Sequence, residues 1–360
     1  VQKQYWPEGQ SSAVVFSHTV DDLQKWDLSS IVLSVADDLS LLFTFKWGQL
    51  LRTIWGKLQY LFTNYEQYWN FEEFVRLEQE NGCRSTYFFA TDKGAEIDYS
   101  LEDPDIQEEI QQLLSGGNDI GLLLTNDKLN RDDMLTRKQI LLHQLNREQT
   151  GIRQMGYNSS REVCELHQKI TPLYSQSSAF KDSPGYYDAT SFPFNPYING
   201  KAVFPILPTV FTDKHLRVNK QKIIDLDDAK LQLKKLFQQV NLTRGIFSLD
   251  FSLASYADIH YCPKLYSYIL ALVKSSPTWL TTATDIVKWW EKRNLITIDE
   301  GEYEVSVLFN EGVDHFVLQV LGDIKITEVE GLPVKIDGNY VRFTNVKEGG
   351  LAVLRFNRGQ

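Results

Sequence analysis

Short apolar runs alternate with helix-patterned segments along most of this chain, and that alternation leaves few architectures open. The first run, Ala13–Phe16, follows Gly9, Ser11 and Ser12 and reads as a buried strand. Later runs of the same kind are Ser85–Ala90, Asp119–Leu124, Gly151–Met155, Leu173–Ser177, Val203–Leu207, Gly245–Leu249 and Ala257–Tyr261. Helical spacing fills the gaps at Asn70–Glu80, Asp105–Leu114, Asp132–Glu148, Ser159–Ile170, Asp227–Val240, Leu265–Lys274 and Thr284–Arg293. Stop signals punctuate them, notably Asn81-Gly82 and Gly116-Gly117. Repeated units of this size predict an α/β fold, either a parallel barrel or a doubly wound sheet.

The alternation is broken twice. Residues 23–80 form a long insertion after the first strand. Within it, Leu39–Tyr68 carries Leu, Phe, Trp and Tyr at roughly helical spacing, with Lys46, Arg52 and Lys57 among them. This predicts one or two amphipathic helices, packed outside the domain, with a membrane-surface or lid helix as the alternative. After Asn294 the period changes to short strands at Tyr303–Leu308, His315–Val320, Ile324–Val329, Tyr340–Phe343 and Leu351–Phe356. The expected organisation is a barrel over residues 1–295 and a small β-sandwich-like domain over 296–360.

Bulk properties narrow the partners. Net charge is -10 and no basic stripe is visible, which counts against nucleic acid as the main partner. Cys83, Cys164 and Cys262 lie far apart and fit neither a disulfide framework nor a zinc knuckle. No membrane-length apolar run or signal-peptide pattern is present, so no transmembrane segment is expected. The chain starts at Val1 rather than Met, which leaves both a cytoplasmic site and secretion with loss of a leader open.

In a parallel α/β protein the chemistry sits at the C-terminal ends of the strands. Asp21 and Asp22 fall there as adjacent carboxylates. They suit a hard metal ion, a general base or the N-cap of a helix running on through Leu23–Trp26. His143, His167, His215 and His315 lack partner spacing and read as structural.

Several blocks, taken in order, resemble the polysaccharide deacetylases of the carbohydrate-esterase type. Ser17-His-Thr-Val-Asp21 is similar to the Thr-His-Asp-Val-Asp form of the first motif. Asn81–Phe89 resembles a Tyr-Gly-x-x-Ser-Thr-Phe-Phe-Phe strand, and Asn118-Asp-Ile-Gly-Leu122 the lead into the metal-histidine motif. Gly151-Ile-Arg-Gln154 resembles the arginine motif. Ser177-Ser178 with Phe192–Tyr197 resembles the later substrate loop, and Thr281–Arg293 the closing helix. The resemblance covers about residues 11–295 and implies a distorted (β/α) barrel. It also implies a first-motif base and metal-binding aspartate, two histidines four residues apart as metal ligands, and a late histidine as general acid. A metal-activated water would then remove an acetyl group from an amino sugar.

The critical positions depart from that pattern. One register puts Thr19 where the base belongs and Asp21 at the metal. A second makes Asp21 the base and Asp22 the ligand. Leu123 replaces the first metal histidine, and the second falls at Asp127. Met155 stands where the resembled subgroup tends to have His. Arg153, with His18, matches substrate-orienting positions, and His260 matches the late histidine. The resemblance therefore implies a protein that binds an acetylated amino-sugar polysaccharide, with its deacetylase activity lost or weakened and no cofactor expected. One alternative is an active zinc-dependent hydrolase using Asp21, Asp22 and Asp127. Another is a non-enzymatic scaffold docking through residues 39–68 or the C-terminal domain.

Overall fold

The computed structural model describes residues 1–26, 31–32, 34–43, 45, 47–63, 66–127, 129–157, 159–219, 222–322 and 324–358. Its larger sheet is parallel and curled into an open barrel. After β1 (Gln2–Lys3), which joins a different sheet, the strands run in chain order as β2 (Ser12–Val20), β3 (Thr86–Phe89), β4 (Asp119–Leu124), β5 (Ile152–Gln154) and β6 (Ser175–Ser178). There follow a ribbon of β7 (Tyr197–Ile198) and β8 (Lys201–Ala202), then β9 (Ile206–Pro208) and β10 (Phe211–Thr212). A second ribbon of β11 (Arg217–Asn219) and β12 (Lys222–Ile223) precedes β13 (Ile246–Ser252) and β14 (Thr278–Leu280). The barrel order is β10-β13-β2-β3-β4-β5-β6-β9, with β14 also pairing β2.

Every residue of β2 is buried. A central strand of a parallel sheet is covered on both faces, so its sequence need not alternate. Helices α1 (Val35–Phe43) and α2 (Trp47–Thr63) form the insertion, and α3 (Phe71–Glu80) returns the chain to the barrel. The outer layer continues with α4 (Pro104–Ser115), α5 (Arg131–Leu145), α6 (Arg161–Ile170) and α7 (Leu226–Thr243). It ends with the short α8 (Ser255–Asp258), α9 (Cys262–Val273) and α10 (Ala283–Leu295). Side-chain caps set several starts: Asn130, Asp225 and Thr282 each accept the amide three residues on.

The C-terminal strands are β15 (Ile296–Glu300), β16 (Glu304–Phe309), β17 (Val313–Gln319), β18 (Ile324–Gly331), β19 (Val334–Asp337), β20 (Tyr340–Val346) and β21 (Gly350–Arg358). They make two four-stranded antiparallel sheets, β15-β16-β21-β18 and β1-β17-β20-β19. Phe309 from the first sheet meets Phe316 and Phe343 of the second at ring distances of 5.5 and 5.2 Å, so the sheets face each other across an aromatic core. Gln2 and Lys3 belong to this all-β unit, since β1 pairs β17.

Three sequence expectations change. Ala257–Tyr261 is not a strand: β13 has already supplied the strand of that unit, and α8 turns away with Ser255 donating to the Ser252 carbonyl. Leu23–Trp26 is not helical, so Asp21 and Asp22 cap nothing; the amides of Leu23 and Gln24 are taken up by the Asp98 carboxylate. Phe192 packs with Tyr5, Trp6 and Trp290, and the neighbouring Ser191 carbonyl accepts from Ile246, the first residue of β13. That places it at the N-terminal end of the barrel, opposite the mouth.

Gly151, where β5 begins, lies flat against the buried Tyr174 ring; a Cβ there would come within 2.0 Å of it. Gly151→Ala is expected to destabilise the fold by about 1–3 kcal/mol, the usual range for overpacking a core, with a lowered thermal midpoint as the readout.

Candidate functional site

Side chains alternate along a strand, so Ser17, Thr19 and, just past the strand end, Asp21 share the face of β2 that looks into the barrel. Ser17 stands beside Asp250 of β13, and Thr19 beside Ser252. On the other side Thr19 stands beside Phe88, Phe88 beside Gly121, and Leu123 beside Arg153. These residues form the inner wall just below the mouth.

A buried ion pair fills it. The guanidinium of Arg153 pairs with the carboxylate of Asp250, and the two side chains are only 1% and 3% exposed. Arg153 also donates to Thr19 Oγ1 at 3.0 Å, to Ser17 Oγ at 2.7 Å and to the Gln176 carbonyl at 3.3 Å. Its guanidinium lies 4.0 Å from the Phe88 ring centroid. Asp250 accepts from Thr19 Oγ1 at 2.9 Å and from the Tyr157 hydroxyl. Gln176 extends the network across the barrel by donating to Ser248 Oγ at 2.9 Å. Each charge is therefore desolvated but well supplied with partners, which a buried pair needs in order to be tolerated.

The rim above is acidic. Burial, then the neighbouring carboxylates of Asp22 and Asp213, push Asp21 up to about 7, against a smaller pull from Lys214. Its Oδ1 is shielded from solvent and has no hydrogen-bond partner. Burial followed by Asp250 raises Asp213 to about 6, although Ser252 donates to it at 3.0 Å. Asp22 is also raised, by burial and then by Asp98 and Asp258. Asp258 is well paired, with Tyr68, Lys25 and Arg217 at 2.7, 3.0 and 3.4 Å.

The structure thus brings Asp21, Asp22 and Arg153 to one region and sets the other predicted residues apart. His18 points outward from β2 and is fully buried. One ring nitrogen is 3.0 Å from the Phe251 carbonyl and the other 2.8 Å from Glu78, so nothing is left for a substrate. Glu78 also accepts from Ser85 at 2.6 Å and Tyr266 at 2.5 Å, making this a knot between sheet and helices. His260 is exposed beside Tyr261; Asp258, two residues earlier, is the one that reaches the rim. Asp127 lies past β4, bonded by Thr125 and 3.8 Å from Arg137.

A zinc ion does not fit these donors. Leu123 offers no lone pair. Among the described residues, no three His, Cys, Asp or Glu side chains gather so as to hold a metal, which separates Asp127 from the Asp21–Asp22 pair.

Asp250, Asp213, Tyr157 and Gln176 are site residues that the sequence reading did not select. For Asp250 a signal exists: Ser248, Asp250 and Ser252 recur at every second position of a strand whose other residues are apolar. Ser17, Thr19 and Asp21 repeat the pattern on its neighbour.

No protein-family model matches the sequence, and no curated protein matches it either. Solved structures match in fold. A putative polysaccharide deacetylase from Mycobacterium smegmatis shares 15% identity at a TM-score of 0.52, over 84% of this chain and 98% of its own. A probable polysaccharide deacetylase from Pseudomonas aeruginosa PAO1 shares 13% at 0.53, over 81% and 94%. The fold is that of the polysaccharide deacetylases. Puue allantoinase has the same barrel, with 13% identity and a TM-score of 0.54 over 81% and 94%, so the deacetylase-type fold by itself does not fix a substrate.

Two outcomes are expected at this barrel mouth. Arg153→Met strands the Asp250 carboxylate and should cost about 3–5 kcal/mol in denaturant unfolding, whereas Arg153→Met with Asp250→Leu should recover much of it. Asp21 and Asp213 bind protons more tightly folded than unfolded, so they remove stability as pH rises from about 4, through about 6 for Asp213 and about 7 for Asp21. Each proton held only by the folded state contributes a slope of about -1.4 kcal/mol per pH unit. Asp21→Asn should flatten that slope and gain stability relative to the parent at pH 8 but not at pH 4.

Proposed function

We propose that this protein is a carbohydrate-binding, deacetylase-like barrel in which metal-dependent deacetylation is lost or weakened. The observation that carries this reading is the filled inner wall. Leu123 and the Arg153–Asp250 pair occupy inward positions around Thr19, where acetamide hydrolysis needs open ligands and a free base. Groups already satisfied by one another have little to offer a reacting carbonyl.

Binding falls to the rim and to a cleft that opens beside it. This cleft, about 1710 Å³, begins at Leu23, Gln24, Asp98 and Tyr99 and runs between α3 and α4. Trp69 and the carboxylates of Glu72, Glu73 and Glu109 line it. An indole can stack on the CH face of a sugar, and carboxylates accept from its hydroxyls. Burial raises Glu109 to about 7, which lets it serve as donor or acceptor near neutral pH. The substrate class that suits this reading is an acetylated amino-sugar polysaccharide.

Calorimetric titration of the purified protein with zinc and nickel is expected to show no tight stoichiometric binding. A screen of acetylated amino-sugar oligomers is expected to show binding that Trp69→Ala weakens about tenfold, equivalent to ~1.4 kcal/mol. Stoichiometric metal binding together with release of acetate from those oligomers would overturn the reading.

A further inference from the structure

The insertion turns its apolar face away from the protein. On α2, Trp47, Leu51, Trp55, Leu58 and Phe62 fall on one stripe of a helix with 3.6 residues per turn, and each is at least 40% exposed. Val35, Leu39, Leu42 and Phe43 make the same stripe on α1, exposed in the same way. The hairpin is anchored by its other edge. Leu50 and Lys57 are buried; Lys57 pairs with Asp38 and lies 5.1 Å from the Trp26 ring centroid. Gly56 sits so close to Gln67 that a Cβ would collide with its amide. An apolar surface of this extent on an otherwise acidic protein marks a docking face.

Charge identifies what docks there. The chain carries 47 acidic against 37 basic residues, yet over the hairpin, residues 35–63, the basic Lys46, Arg52 and Lys57 outnumber the acidic Asp37 and Asp38, and the Lys57–Asp38 pair leaves a net excess of positive charge. An anionic lipid surface complements that excess, and it also accommodates Trp and Tyr at the headgroup level. None of the described helices is long and apolar enough to cross a bilayer, so a helix of 17 residues with this stripe belongs in the plane of the interface. We propose that the α1–α2 hairpin docks this protein on an anionic lipid bilayer, its apolar stripe sunk to the headgroup–acyl boundary. The hairpin leaves the barrel near Trp26 and rejoins it at Gln67 and Tyr68, where Tyr68 bonds Asp258 of the rim, so docking holds the mouth beside the membrane.

The test is flotation of the full chain with vesicles of phosphatidylcholine, alone or mixed with phosphatidylglycerol. Flotation is expected with the mixed vesicles and should weaken as salt is raised, with a blue shift in tryptophan emission and quenching by shallow brominated lipids. Trp55→Glu with Phe62→Glu should lower the bound fraction at least tenfold. It should leave the melting temperature unchanged, because both side chains are exposed. Failure to float with either vesicle, equal flotation with both, or a dimer in light scattering that the same variant abolishes would each overturn the proposal. Glycan binding at the cleft is read separately and does not decide this result.

Discussion

The mouth of this barrel is organised by the pairing of Arg153 with Asp250. Moving two full charges out of water costs several kcal/mol per ion after relaxation, so their presence constrains everything within reach. Ser17, Thr19, Tyr157 and the Gln176 carbonyl supply the remaining donors and acceptors. Those partners come from several strands and from the residues that follow β5. Each must place a polar side chain or carbonyl inward at the same height. The alternation of Ser17 and Thr19 with His18, and of Ser248 and Asp250 with Leu249, follows from that requirement.

The same pair sets the electrostatics above it. Because Asp250 is answered by Arg153, little positive charge is left for the rim, where Asp21, Asp22 and Asp213 lie together. Lys214 is the cation that lowers all three, and it does not offset burial. The rim therefore relieves its repulsion by holding protons. A divalent ion would relieve it too, but only where several ionised ligands converge. With Leu123 facing inward from β4 and Asp127 drawn off toward Arg137, such convergence is missing among the described residues.

The sequence makes much of the barrel legible because β2, β3, β4 and β13 centre on short apolar runs and several helices carry a cap or a glycine stop, whereas β6, Ser-Gln-Ser-Ser, is polar throughout. Asp119–Leu124 is a strand to the residue, and the units follow the expected order from β2 to β6; later on, the short strands Phe211–Thr212 and Thr278–Leu280 carry no such signal. The site was less legible. Arg153 stood out as a charge at a strand end. Asp250 did not, because the apolar run was closed at Leu249, one residue short of it. Resemblance points to His18 and His260, yet counting back by two from Asp21 reaches Thr19 and Ser17, which leaves His18 on the outer face. The helical insertion was legible as amphipathic, but spacing alone does not say which way a stripe faces. That depended on Gly56 and Lys57, which seat the opposite edge against Gln67 and Trp26.

A fold can host many chemistries, so what a barrel does is decided by the groups at its mouth. In this chain Arg153, Asp250, Thr19, Ser17 and Tyr157 satisfy one another at the mouth, while the buried Oε1 of Gln176 is left without a partner. Further out, Oδ1 of Asp21 and one carboxyl oxygen of Glu66 are buried without a partner, and burial raises both carboxyls, like that of Glu109 along the cleft, to about 7. Recognition works through groups with spare hydrogen-bonding capacity, and chemistry works through groups held ready at the reacting atom. Here partnerless oxygens lie at the rim and in the cleft, while Arg153 and Asp250 are engaged with each other in the wall. A wall that buries two charges must supply all their partners itself, and the polar residues at alternate positions of β2 and β13 are much of that supply.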